Sequence, residues 1–136
     1  MTPDPKMVAR LVREWGKHRS LIIAVDFDDT VYPYSVEDAS GYSRRIMLLR
    51  LCQNLGARVV VWTASNPDRY PMIREYLEAR GLRVDAVNEN TPGLPFGNWG
   101  KIYANIYLDD RAGLAEAEAT LEAAYHIHLA DINTPG

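Results

Sequence analysis

Short apolar runs recur along this chain, each followed by a longer stretch with helical spacing, and that alternation limits the folds open to it. Residues 21–26 (LIIAVD) are apolar up to a terminal acid, the pattern of a strand buried on both faces of a parallel sheet. RVVVW at 58–62 repeats it, LRVDAV at 82–87 is a weaker version, and NIYLD at 105–109 is a fourth. Between them the period changes. Val8, Leu11, Val12 and Trp15 fall at i, i+3, i+4 and i+7, predicting an amphipathic helix within 1–19 that ends near Gly16. Leu48, Leu51, Cys52 and Leu55 do the same, with Ser43 as N-cap and Gly56 as stop. Asn66 caps a third helix with Pro67 at its first position, Pro71 distorting its start and Gly81 ending it. Leu114, Ala117 and Leu121 face inward from a fourth, and YHIHLAD, with alternating His126 and His128, reads as a terminal strand. Residues 88–100 are a Pro/Gly/Asn-rich loop. Strands alternating with helices over short connections predict an α/β fold: a three-layer α/β/α sandwich on a parallel sheet, one domain over 1–136 with no cap domain.

Composition narrows the partners. With 15 Lys and Arg against 18 Asp and Glu the net charge is −3, so no broad basic field exists to capture nucleic acid. Cys52 is the single cysteine, which excludes an internal disulfide framework and favours a reducing compartment. The charged N-terminus and the lack of a long apolar run predict a soluble, cytoplasmic protein. By spacing, Cys52, Trp15 and Trp62 are core residues.

In a parallel sheet between helices, ligands collect at the carboxyl ends of the strands. Asp26 and Asp28 follow the first strand, Thr63 the second, and Asp109 and Asp110 the last. Four carboxylates at one rim repel unless a cation joins them. Mg²⁺ suits hard oxygen ligands, whereas zinc is disfavoured, because no cysteine cluster exists and His18, His126 and His128 lie away from the acids in sequence. An ionised Asp can attack phosphorus to give an aspartyl-phosphate, and a second acid two residues on can protonate the leaving oxygen and then activate water. Thr63 and Lys101 complete the set as a hydroxyl donor and a fixed positive charge for phosphoryl oxygens.

Those residues carry a resemblance. AVDFDDT resembles the first motif of the haloacid-dehalogenase superfamily, VVVWTAS its second, and KIYANIYLDDR its third and fourth, in order across about 21–111. The resemblance implies Asp26 as nucleophile, Asp28 as general acid/base, and Thr63 and Lys101 binding phosphate. It also implies Mg²⁺ held by Asp26, the backbone carbonyl of Asp28, and Asp110, with Asp109 as ligand or water-mediated support. Asp29 takes no catalytic role, as a bystander facing water. The short separations leave no room for a cap, so the small capless (C0-type) phosphatases look most similar. An open site of that kind accepts a small-molecule phosphate ester, a nucleotide or a polynucleotide end, or is closed by a second subunit of a homo-oligomer.

Other readings stand beside these. A receiver-like phospho-accepting module also combines Asp, Thr, Lys and Mg²⁺, and a non-catalytic relative would keep the fold as a binding protein. Thr63 is otherwise a turn residue bonding its own backbone, Lys101 a solvated flank, and Asp109 and Asp110 caps of the following helix. Pro95, Phe96 and Trp99 either stack a substrate ring or serve as a lid or subunit contact. Arg69 and Arg111 either meet a second anionic group or are solvated. Tyr32 and Tyr34 either line the entrance or pack.

Overall fold

The computed structural model describes residues 2–35, 39–95, 97 and 100–134. Phe96 and Trp99, the two aromatic residues expected to stack a ring or close the site, lie outside the described residues. The elements run α1 (Pro5–His18), β1 (Ile22–Asp26), α2 (Ala39–Asn54), β2 (Arg58–Trp62), a 3₁₀ turn (Pro67–Arg69), α3 (Tyr70–Glu78), β3 (Ala86–Val87), β4 (Ile106–Leu108) and α4 (Leu114–Asn133). The strands form one sheet in the order β3-β2-β1-β4, every pairing parallel. Helices flank it, and the fold is α/β, consistent with a Rossmann-like three-layer sandwich. No helix among the described residues is long and apolar enough to cross a membrane.

The central strands are buried as their composition demands. Ile23, Val25, Val59, Val61, Ile106 and Leu108 join Leu11, Trp15, Leu49, Cys52, Ile73, Leu77 and Leu121 in the main core. Ile22, Val60 and Ala86 alternate to the opposite face, where Ile102, with Leu94 and Ala104 packed alongside, covers them. Cys52 is fully buried, and burial pushes its thiol up to about 12, which leaves it a small apolar core residue.

Element ends differ from the sequence reading for identifiable reasons. Asp4 caps α1 by accepting from Lys6 N and Met7 N, and the helix passes through Gly16 to His18, where Arg19 turns left-handed. Ser43 lies inside α2, so it is not the N-cap. Gly56 does end that region: at φ 90° a Cβ there would sit 2.4 Å from the Arg19 carbonyl oxygen, so no larger residue fits. Asn66 accepts from Asp68 N at 2.9 Å, and Pro67 and Pro71 divide this start into a 3₁₀ turn and then α3.

Two strands are shorter than expected because side chains replace backbone at their entrances. Asp85 Oδ2 accepts from Val59 N at 2.8 Å, which confines β3 to two residues. Asn105 Oδ1 accepts from Ile22 N at 2.7 Å immediately before β4.

The terminal strand expected around His126 and His128 is helix instead. Leu121, Ala124, Tyr125 and His128 form one buried face of α4, and the His128 ring stacks on Trp15 at 4.6 Å. His126 points elsewhere and pairs with Glu122 at 3.9 Å.

Candidate active site at the carboxyl edge of the sheet

β1 delivers Asp26 to the sheet edge, and the chain reverses immediately. The Phe27 carbonyl accepts from Val31 N at 3.1 Å and Tyr32 N at 3.0 Å, while Asp29 takes φ 59°. Such left-handed backbone is tolerable for Asp because its short side chain bonds locally. Here the Asp29 carboxylate accepts from Tyr34 N at 3.1 Å and Ser35 N at 2.7 Å. Asp29 is therefore a loop brace and not a side chain facing only water.

Asp26, Asp109 and Asp110 converge. Each offers a carboxylate oxygen, and these atoms lie within 4.8 Å of one another. Thr30, fully buried, links the two loops: its hydroxyl donates to Asp26 Oδ2 at 3.2 Å and accepts from Asp110 N at 3.1 Å. The Thr30 carbonyl accepts from Arg45 Nη1 at 2.7 Å, and Arg45 pairs with the buried Glu118 at 3.3 Å. A chain of contacts from α4 through α2 thus supports the acidic cluster. Burial first, then Asp110 and Asp109, push Asp26 up from 3.8 to about 7. That is the response of a carboxylate that is both desolvated and crowded by other carboxylates, and a divalent cation would relieve the crowding. The donor set is all hard oxygen and fits Mg²⁺ better than zinc.

Asp109 and Asp110 do not cap the following helix. α4 begins after Gly113 with no side-chain cap, and Asp109 Oδ1 instead accepts from Arg111 N at 2.9 Å within the preceding turn.

Thr63 reaches the same cavity, of about 710 Å³, which is lined also by Asp26, Asp28, Trp62, Arg69 and Asp110. Its hydroxyl donates to Ser65 Oγ at 2.9 Å and accepts from Ser65 N at 3.1 Å, so it is engaged in a local turn. Asn88, left-handed at φ 53°, clamps this strand end: its Oδ1 accepts from Thr63 N at 2.8 Å and its Nδ2 donates to the Thr63 carbonyl and to Tyr70 Oη, both at 2.7 Å.

Asp28 is oriented by a cation that the sequence reading left between solvent and substrate. Arg69 donates to Asp28 Oδ2 at 2.6 Å and Oδ1 at 2.7 Å, and to Ser65 Oγ at 2.7 Å. Its guanidinium lies 5.3, 5.6 and 5.8 Å from the ring centres of Phe27, Tyr32 and Tyr34, within cation–π range. Solvation does not describe Arg69. Arg111 is exposed at the cavity wall.

Lys101 does not line this cavity. It borders another of about 730 Å³ with Asp4, Arg10, Asn105 and Tyr107, its Nζ 5.7 Å from the Tyr107 ring centre. Lys101 precedes the entrance of β4, whereas the acids follow the exit of that strand. Arg69 and Arg111 are the basic residues that line the acidic cavity.

Trp62, expected in the core, is 39 % exposed and lines the acidic cavity. Thr30, Asn88 and Trp62 are thus the site residues that sequence reasoning missed, while for Arg69 it left two readings open. A signal existed for Thr30, four residues after Asp26, and for Asn88, a residue type that tolerates left-handed turns. Spacing carried none for Arg69 or Trp62.

No protein-family model and no curated protein matches the sequence. Among solved structures, the chain is similar to a conserved protein from Bacteroides thetaiotaomicron, with 25% identity and a TM-score of 0.61 over 85% of this chain and 99% of that one.

Proposed function

We propose that the protein is a Mg²⁺-dependent phosphomonoesterase of the haloacid-dehalogenase type, acting through an aspartyl-phosphate on Asp26. The observation that supports this most is the convergence of Asp26, Asp109 and Asp110 in one cavity that Asp28, Thr63 and Arg69 also line. Asp26, Asp109 and Asp110 would hold Mg²⁺, which when bound supplies positive charge to offset repulsion between carboxylates and phosphate.

An Asp26 carboxylate oxygen attacks phosphorus, the bond to the ester oxygen breaks, and Asp28 gives that oxygen its proton. Asp28 then takes a proton from water, whose oxygen attacks phosphorus, and the bond to Asp26 breaks to release inorganic phosphate. Both Asp28 oxygens are gripped by Arg69, so proton transfer requires Arg69 to release one of them. Phosphoryl oxygens offer the guanidinium replacement acceptors. Thr63 supplies a hydroxyl to the same oxygens once its bond to Ser65 is exchanged. A cytoplasmic setting and a small phosphate ester as substrate complete the reading.

The test is hydrolysis of an aryl phosphate by the full chain. Turnover with Mg²⁺ is expected, with loss in chelator and in Asp26→Asn. An inactive wild type on a broad panel of phosphate esters would remove the enzymatic reading.

The same Asp28–Arg69 grip favours one alternative, a phospho-accepting module in which Asp28 is kept from promoting hydrolysis. A phosphoenzyme formed from acetyl phosphate and persisting for hours would select it; decay within seconds selects the esterase.

A further inference from the structure

Asp26 and Trp62 are register partners on the neighbouring strands β1 and β2. Side chains so paired leave a sheet on the same face, which sets an indole beside the acidic cluster. The three residues preceding Trp62 in β2 are buried, but Trp62 is 39 % exposed. Tyr34, 71 % exposed, reaches the same cavity from the loop after β1. One exposed aromatic is ordinary; two from separate segments in the cavity that holds Asp26 ask for a ligand. Among the described residues, no side-chain hydrogen bond or ring contact involves Trp62.

Three of the polar groups nearby are already matched to partners. Asp28 is paired with Arg69, Thr63 with Ser65, and the Asp29 carboxylate with the backbone of its own loop. A polyhydroxylated group beside Trp62 would have to break these bonds or turn to Arg111 and the acidic cluster to satisfy its hydroxyls. A flat ring needs none of them, since any π-face can lie on an indole.

We propose that Trp62 is the platform for a planar aromatic ring, aryl or heterocyclic base, carried by the phosphate ester, with Tyr34 at the cavity mouth. The phosphate end of this ligand rests on the phosphomonoesterase reading, but the ring site does not depend on turnover.

The test uses non-hydrolysable probes. Phenylphosphonate, cyclohexylphosphonate and methylphosphonate are titrated calorimetrically into the full chain, with and without Mg²⁺. Phenylphosphonate is expected to bind about tenfold more tightly than methylphosphonate, a preference in the range of base–aromatic stacking, with the cyclohexyl compound between them. Trp62→Ala should bring phenylphosphonate down to the methylphosphonate level and leave the latter unchanged, while Trp62→Phe keeps most of the preference. Unfolding curves confirm that both variants fold. The inference is overturned by equal affinity for the phenyl and methyl probes, by a preference that survives Trp62→Ala, by cyclohexyl binding as tight as phenyl, or by no phenylphosphonate binding. If the Trp62-dependent preference holds while no ester is hydrolysed, the ring site stands and the esterase reading falls.

Discussion

Arg69 holds Asp28 through both carboxylate oxygens, at 2.6 and 2.7 Å, and three aromatic rings surround the guanidinium that does so. Asp28 is thereby aimed from a turn that would otherwise let it rotate into solvent. In the proposed esterase, substrate must divide this pair before Asp28 can move a proton, which would make Arg69 part of that chemistry.

Arg69→Ala is expected to lower kcat/KM for an aryl phosphate by about tenfold or more, the scale of a lost charge-assisted hydrogen bond, mainly through KM. Arg69→Lys should restore part of it, because the charge returns but the two-pronged geometry does not. Steady-state kinetics on both variants check this; an unchanged KM in Arg69→Ala would exclude contact between the guanidinium and the phosphoryl group.

Asp26 makes the metal-free protein sensitive to rising pH. Its folded value of about 7 lies above the ordinary 3.8, so its contribution to stability is complete below the ordinary value and is lost as pH rises through about 7. In chelator, Asp26→Asn should therefore melt a few °C higher than wild type at about pH 8, with the gap narrowing as pH falls and closing near about pH 4. Mg²⁺ should raise the wild-type midpoint at the higher pH and leave the variant nearly unmoved. Thermal melts over pH, with and without Mg²⁺, measure all three.

Glu118 supports the site from a distance. It lies 3.3 Å from Arg45 Nε and 3.7 Å from Arg44 Nη2, and Arg45 in turn donates to the Thr30 carbonyl. Glu118→Ala leaves Arg45 partly buried without its partner and should destabilise the fold by about 3 kcal/mol. Urea denaturation tests this, and a change below about 1 kcal/mol would show the pair to be dispensable.

His128 gives the opposite pH dependence from Asp26. Burial holds it below the usual 6.5, so its stabilising contribution is complete above that value and is lost as pH falls through the lowered one. Wild type should lose more thermal stability than His128→Phe between about pH 7.5 and about pH 5, since Phe keeps a ring against Trp15 and cannot be protonated. Parallel slopes for the two proteins would remove His128 as a source of acid sensitivity.

Periodicity alone carried most of the backbone architecture. Residues 21–26 and 58–62 have room for no other element, and their apolar character requires cover on both faces, so a parallel sheet with Asp26, Thr63, Asp109 and Asp110 at its exit edge follows from local pattern. The buried spacing of Leu121, Ala124, Tyr125 and His128 was also present in the sequence, although the alternation of His126 and His128 masked it.

What the tertiary structure decided were the relations between segments. Lys101 and Arg69 are both cationic and equally compatible with a loop, but only the path of the chain determines which one borders the acidic cavity. Trp62 has the spacing of a core residue, and its exposure depends on what lies over the last residue of β2. Local sequence dictates which side chains share a face; it does not dictate which distant segment covers that face. The pairing of Asp28 with Arg69 and the stance of Trp62 beside Asp26 are facts of that second kind.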